Sequence, residues 1–305
     1  MANITAALVK ELRERTNAGM MDCKKALVES DGDMDKAVEW LREKGLAKAA
    51  KKAGRIAAEG VSYALVENGV GALVEVNCET DFCAKSAPFV AFVKDIAKVV
   101  ADNDPADVDT LMNCKYPGTE LTVSETMPEK VMSIGENLQI RRFVRFAENT
   151  SVGYVHAGGK IGVLVNLAVE GGVDATEIGK NVAMQIAALN PRFWDKSQVT
   201  QDILDEEKKI MLVQMANDPK MANKPDQVKE KIVDGKLNKF YAENCLLQQD
   251  FVKDGDVTVE KYLANVAKAL GGTITLKDAV RFEKGEGIEK KQENFAEEIA
   301  KQLGK

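Results

Sequence analysis

One histidine stands among 305 residues, and that scarcity removes most ways of building an acid–base relay. A Cys–His or Ser–His pair would have to recruit His156, which lies in a strand-like run ahead of Gly158-Gly159. A histidine there is more often a surface or hydrogen-bonded residue than a base. Phosphate loops are missing too: no G-x-x-x-x-G-K-S/T motif occurs, and Gly158-Gly159-Lys160-Ile161-Gly162 opens a strand rather than a helix. Carboxylates are plentiful but show no metal-ligand spacing. The five cysteines, Cys23, Cys78, Cys83, Cys114 and Cys245, are odd in number and contain no C-x-x-C, which speaks against a disulfide framework and against a zinc site. The expectation is a chain without enzyme chemistry, cofactor or metal.

Positive charge is also short. A formal net charge of −6 disfavours a chain whose main task is holding nucleic acid, because phosphate binding draws on clustered Lys and Arg. No apolar run approaches the ~20 residues that cross a bilayer. Met1-Ala2-Asn3-Ile4-Thr5 leads straight into an amphipathic helix with no basic or apolar leader before it, so no signal peptide and a reduced cytoplasmic setting are expected. What is present, 45% apolar and 30% charged residues, is ordinary globular usage with length for about two domains.

Residues 4–55 read as three short helices. Ile4, Leu8 and Leu12 recur at every fourth position behind a capping Thr5. Asp22 is suited to cap a second helix around Ala26 and Leu27, and Asp33 a third in which Ala37, Val38 and Leu41 face inward before Gly45 ends it. The loop Asn17-Ala18-Gly19-Met20-Met21 sets two soft side chains beside a glycine, and methionines on a loop favour contact over core filling. Residues 45–55 are basic and alanine-rich without aromatics, which reads as a solvated linker helix in preference to an RNA-binding patch.

Residues 61–66 and 70–76 flank Asn68-Gly69 as a β-hairpin, followed by a helix over 88–100. A second hairpin, 152–156 and 161–169 around Gly158-Gly159, is followed by a helix through Val182, Ile186 and Leu189. The repeated order points to two α+β subdomains with antiparallel sheets side by side. Val199, Ile203, Ile210 and Val213 form one apolar stripe, and Val228, Ile232, Val233, Leu237 and Phe240 another, with Pro219 and Pro225 between them. This is an antiparallel helical hairpin that either projects as an arm or lies flat on a sheet. A strand over 279–283 and a helix over 288–303, with Phe295, Ile299 and Leu303 spaced by four, complete the chain; that helix could pack at home or dock a partner.

The densest signal is Val76-Asn77-Cys78-Glu79-Thr80-Asp81-Phe82-Cys83-Ala84-Lys85. An apolar strand ends there in an exposed strand-to-helix corner carrying one aromatic. Phe82 either folds back to staple the corner or stands out for another protein.

Thr80-Asp81-Phe82, together with the run Leu12-Arg13-Glu14-Arg15-Thr16-Asn17-Ala18-Gly19-Met20-Met21-Asp22-Cys23-Lys24-Lys25-Ala26-Leu27, closely resembles bacterial elongation factor Ts. The resemblance continues in order through His156-Ala157-Gly158-Gly159-Lys160-Ile161-Gly162-Val163-Leu164-Val165, Met184-Gln185-Ile186-Ala187-Ala188, Asp250-Phe251-Val252-Lys253-Asp254 and Val280-Arg281-Phe282-Glu283-Lys284-Gly285-Glu286-Gly287-Ile288-Glu289-Lys290. It implies an α+β chain in four parts. These are a ubiquitin-associated-like three-helix bundle over 1–55, one antiparallel-sheet core subdomain over 56–145, a second over 146–285 with a coiled-coil hairpin inserted at about 198–244, and a C-terminal helical module over 286–305. The implied activity is nucleotide exchange on elongation factor Tu without covalent chemistry, with Thr80, Asp81, Phe82 and Cys83 at the element that dislodges the partner's magnesium. Arg13, Met20, Met21 and Lys24 resemble the surface that meets the partner's nucleotide domain, His156 a contact to a more distant domain, and Val252 part of a C-terminal contact region. The coiled-coil arm also offers a surface through which two copies could pair. The chain departs from the family at Cys83, where valine is common, at Asn17, where glycine is, and at Asp250, where proline is. Two rival classes make different demands: an RNA- or ribosome-binding protein would use the cations of residues 48–55, and a thiol enzyme would join Cys78 or Cys83 to His156.

Overall fold

Thr5 starts the first helix, α1 (Ala6–Thr16), by accepting a hydrogen bond from Leu8 N at 3.2 Å. The structure is a computed structural model and describes residues 4–16, 18–222 and 224–289. Helices α2 (Met20–Glu29) and α3 (Met34–Lys52) follow, and Val9, Leu12, Cys23, Ala26, Leu27, Ala37 and Leu41 close a small core between the three. Asp33 caps α3, accepting from Asp35 N and Lys36 N. Asp22 does not cap α2. Gly19 stands at that start, while Asp22 lies inside the first turn and is drawn to Lys44 at 3.2 Å and Lys48 at 2.8 Å on α3. Met20 and Met21 are accordingly the first two residues of α2 and not part of the preceding loop.

Gly45 does not end α3 either. It is buried where the helix crosses α7 (Val123–Ile134), and a side chain there would meet the Pro128 carbonyl at 3.3 Å. Glycine thus permits a close helix crossing, and residues 45–52 of the basic segment are the last two turns of α3 rather than a separate linker, with Arg55 just beyond its end. Three of the segment's four cations are held by the protein: Lys48 by Asp22, Lys52 by the Gly135 carbonyl, and Arg55 by Glu79.

The hairpin of β1 (Glu59–Glu67) and β2 (Val70–Cys78) turns through Asn68 at φ 52° and Gly69 at φ 81°, the left-handed pair that suits strand twist. A third strand, β3 (Gln139–Phe146), pairs with β2 to give the order β1-β2-β3. Phe89, Phe92, Val93 and Ile96 of α5 (Ala87–Asn103) bury one face of this sheet. Short helix α4 (Asp81–Lys85) precedes α5, and α6 (Val108–Met112) and α7 lead to β3.

The second sheet repeats the plan. Strands β4 (Thr150–His156), β5 (Ile161–Glu170) and β8 (Thr273–Glu283) take the order β4-β5-β8, with α8 (Thr176–Leu189) on one face. The hairpin, helix and third strand recur in both halves, and each central strand carries one register shift, at Glu75/Val76 and at Asn166/Leu167. β8 is longer than the segment 279–283 expected from its apolar residues, because its first half pairs the far end of β5.

The two sheets meet through Leu73, Leu164 and Phe282 and through small residues. A Cβ at Gly162 would lie 2.7 Å from Leu73 Cδ1 and 3.0 Å from the Ser62 carbonyl oxygen. Gly162→Ala should therefore overpack the contact and cost about 1–3 kcal/mol. Urea unfolding checks this; an unchanged midpoint would mean that the sheets do not approach so closely.

Between α8 and β8 the chain leaves the core as α9 (Gln201–Asn217), α10 (Pro219–Ala222) and α11 (Asp226–Asn244). The two long helices pack on each other and neither lies along a sheet. The seam keeps Ile232, Val233, Leu237 and Phe240 of the second expected stripe but on the first helix uses Leu204, Met211 and Met215, whereas Ile210, Val213 and Val228 are exposed. Flexible methionines fill the narrow inter-helix space. Strands β6 (Asp250–Phe251) and β7 (Asp254–Thr258) and helix α12 (Val259–Ala269) return the chain to the core. Of the helix expected over 288–303, residues 290–305 lie outside the described residues, and Ile288 and Glu289 belong to no helix or strand. Among the described residues no helix is long and apolar enough to cross a membrane.

Candidate partner-binding site

Strand β2 delivers the corner. Cys78, its last residue, is fully buried, and Thr80 then caps α4, its hydroxyl accepting from Cys83 N at 3.1 Å. The Glu136 carboxylate, in the loop before β3, accepts from Glu79 N at 2.9 Å, Thr80 N at 3.0 Å and the Thr80 hydroxyl at 2.5 Å. Glu79 in turn accepts from Asn137 N at 2.6 Å. Three charge-assisted bonds on consecutive residues hold the turn in a single geometry.

Cys83 and Ala84 point into the core of the first sheet, and Phe82 is left 85% exposed. It does not staple the corner. A phenyl ring standing in water on a braced support forgoes burial worth about 1.5–3 kcal/mol, which another surface can recover. Asp81 beside it pairs with Lys85 at 2.6 Å, and that hydrogen bond holds its carboxyl below the usual range.

Arg13, Met20, Met21 and Lys24 are brought together. With Ile4, Val9 and Lys10 they line one groove of about 600 Å³ between α1 and the start of α2. Met20 and Met21 are 59% and 74% exposed, so the groove combines an adaptable apolar wall with a cationic rim.

His156 and Val252 stand on other elements. His156 ends β4 exposed, its Nδ1 2.9 Å from the Tyr154 hydroxyl. Val252, half-exposed in the β6–β7 turn, donates its backbone N–H to Gln185 at 2.8 Å. Phe251 next to it is buried and stacks on Tyr262 with ring centres 4.2 Å apart. The carbonyl of Asp250 accepts from Gln185 at 3.0 Å and its residue is exposed, so the charge that replaces the common proline is carried in solvent.

Sequence reasoning misses Glu136 and Asn137, which stand more than fifty residues from the corner they brace and carry no motif. It also leaves Cys78, Cys83 and Glu136 unconnected, although their ligand atoms lie within 4.8 Å of one another. The Cys78 thiol is pushed far up by its hydrogen bond with Cys83 and by burial, the reverse of an activated nucleophile. His156 bonds Tyr154 and is not among the groups gathered at these thiols.

Fold and site together define an α+β protein that presents an unpartnered aromatic and a soft apolar groove on rigid supports, the equipment of a protein-binding surface. The family model for Elongation factor TS matches residues 79–286. Elongation factor Ts of Clostridium botulinum (strain Eklund 17B / Type B) is 51% identical over 99% of this chain and 100% of its own length. That of Clostridium kluyveri (strain ATCC 8527) is 51% identical over 98% and 99%, and that of Clostridium perfringens (strain SM101 / Type A) 50% identical over 99% and 100%. The chain belongs to the elongation factor Ts family, which sets it among the translation elongation factors.

Proposed function

We propose that the chain is a cytoplasmic guanine nucleotide exchange factor for elongation factor Tu, binding the GDP-loaded partner and promoting GDP release so that GTP can enter. The observation that carries the reading is Phe82, 85% exposed at the tip of a corner fixed by Glu136. A ring so held can wedge between elements of the partner's nucleotide domain without first paying to order itself. Asp81 brings an anion to the same point. Exchanging Lys85 for the neighbourhood of the partner's magnesium would disturb the ligand shell of that ion and loosen the phosphate it clamps. Cys83 seats the helix from beneath, and Thr80 shapes its first turn.

In this reading the groove of Arg13, Met20, Met21 and Lys24 receives the nucleotide domain, His156 meets a more distant domain, and Val252 adds a contact from the β6–β7 turn. The division into a partner-binding bundle over 1–55, core subdomains over 56–145 and 146–285, an arm at about 198–244 and a terminal module over 286–305 is part of the same proposal. No cofactor, nucleic acid or membrane is required. The competing RNA-binding reading has little to offer phosphate, since Lys48, Lys52 and Arg55 already have partners in the protein.

The test is release of a fluorescent GDP analogue from elongation factor Tu. The full-length chain should accelerate it at substoichiometric concentration in the presence of excess unlabelled nucleotide. Release that proceeds at the spontaneous rate with a folded, matched partner would refute the reading.

A further inference from the structure

Beneath Phe82 three ligand-bearing side chains converge from separate segments. Cys78 ends β2, Cys83 lies on α4, and Glu136 lies in the loop before β3; their sulfur and carboxylate oxygen atoms all fall within 4.8 Å of one another. Among the described residues no other three His, Cys, Asp or Glu side chains gather so closely. We propose that this cluster is a binding site for a thiophilic divalent cation of the zinc or cadmium kind, held by Cys78 Sγ, Cys83 Sγ and one Glu136 oxygen, with water as the fourth ligand.

The donor set selects that class of ion. Two thiolates exclude the hard cations magnesium and calcium, which take oxygen ligands, and suit a tetrahedral d¹⁰ ion. Distances permit it as well. Ligand atoms about 2.3 Å from a tetrahedral centre lie about 3.8 Å apart, so the three atoms need close by no more than about 1 Å. Glu136 is already oriented for the task by the N–H groups of Glu79 and Thr80 and by the Thr80 hydroxyl, the kind of outer support that metal-bound carboxylates receive. Its Oε1 accepts only the Thr80 hydroxyl among these and keeps a lone pair for a cation. Cys83 is 7% exposed and Cys78 fully buried, so the ion would sit beneath the surface of the corner. On binding, both S–H bonds break, two protons leave to solvent, and two metal–sulfur bonds form with no change of oxidation state. The C-x-x-x-x-C spacing with a distant glutamate is not a zinc signature, which is why sequence spacing leads to no metal site; the fold supplies the convergence.

An ion here would tie β2, α4 and the loop before β3 to one point and so fix the support of Phe82. That consequence rests on the function proposed above, but the binding does not. The test is titration of the reduced full-length chain with cobalt(II), with no partner added. Near-equimolar uptake with thiolate-to-cobalt charge transfer and tetrahedral d–d bands, displaced by zinc, is the expected result. Cys83→Val should abolish the bands and Cys114→Ser should keep them, with far-ultraviolet circular dichroism verifying the fold of each. Glu136→Gln keeps a hydrogen-bond acceptor for the corner but loses the anion, and should weaken binding at least about tenfold. No thiolate band in the reduced wild-type chain, or bands that survive Cys83→Val, would overturn the site.

Discussion

Phe82→Ala is expected to leave the fold intact and to remove most of the exchange activity. The side chain is 85% exposed, so its loss should change unfolding free energy by no more than about 0.5 kcal/mol. In a complex the same ring would be a central anchor, and truncating such an aromatic costs about 2 kcal/mol or more, a factor of about thirty in the rate it supports. The measurement is the release rate of fluorescent GDP from elongation factor Tu at saturating variant. A rate close to wild type would remove Phe82 from the mechanism while leaving exchange itself standing. The split between intact stability and lost activity is what separates a contact residue from a core residue, because Cys83 and Ala84 on the opposite side of α4 are buried in the sheet core.

The largest effect on stability should come from Glu75→Ala. Glu75 is fully buried in the central strand of the first sheet, yet it carries a carboxylate. Its oxygens accept from Arg141 at 2.9 Å, Arg142 at 2.6 Å and the backbone N–H of Gly285 at 2.7 Å. Arg142 is its direct cross-strand neighbour and also reaches Glu286 at 3.0 Å, so one buried anion joins β2, β3 and the segment after β8. Removing it takes the shared acceptor from a backbone donor and from two arginine side chains that are only 25% and 31% exposed, leaving Arg142 its pair with Glu286. Breaking a buried pair in this way costs about 3–5 kcal/mol, and the lower figure applies because both arginines retain some water. Chemical denaturation should give a midpoint well below wild type. A change under about 1 kcal/mol would show that the network relaxes into solvent when opened.

Glu75 also marks where the sequence stops being legible. The first hairpin is readable because β-branched residues flank Asn68-Gly69, whose left-handed angles the turn uses. Strand β3 is opaque because it reads Gln139-Ile140-Arg141-Arg142-Phe143-Val144-Arg145-Phe146, and Arg141 and Arg142 make sense only once Glu75 lies across the ladder. Helix α7 has a readable start in Thr122 and Glu125, a reciprocal capping box, but Pro128 inside it argues against a helix, and its crossing with Gly45 belongs to tertiary structure alone. Asp22 and Gly45 have the right chemistry for a cap and a stop; ion pairs from α3 and contact with α7 put them to other use.

Much the same division applies to the candidate site. An aromatic at a strand-to-helix corner is evident from an apolar strand that ends in polar residues, but the choice between stapling and exposure of Phe82 is made only in the structure; the soft pair Met20 and Met21 is evident too, even though both residues belong to α2. Glu136 and Asn137 leave no local trace, since their meaning depends on a loop brought beside the corner by α7 and β3. The same return of the chain creates the Cys78, Cys83 and Glu136 cluster.

Coupling between the chain and the nucleotide on elongation factor Tu is read by calorimetric titration of the chain into the GDP-bound and the nucleotide-free partner. Linkage requires the ratio of the two affinities to equal the factor by which the chain weakens GDP binding. Markedly tighter binding to the nucleotide-free form is expected, by at least about tenfold, with the same factor recovered from GDP titrations of the complex. Equal affinity for the two forms would contradict it, because a partner that does not distinguish the states cannot shift the balance between them.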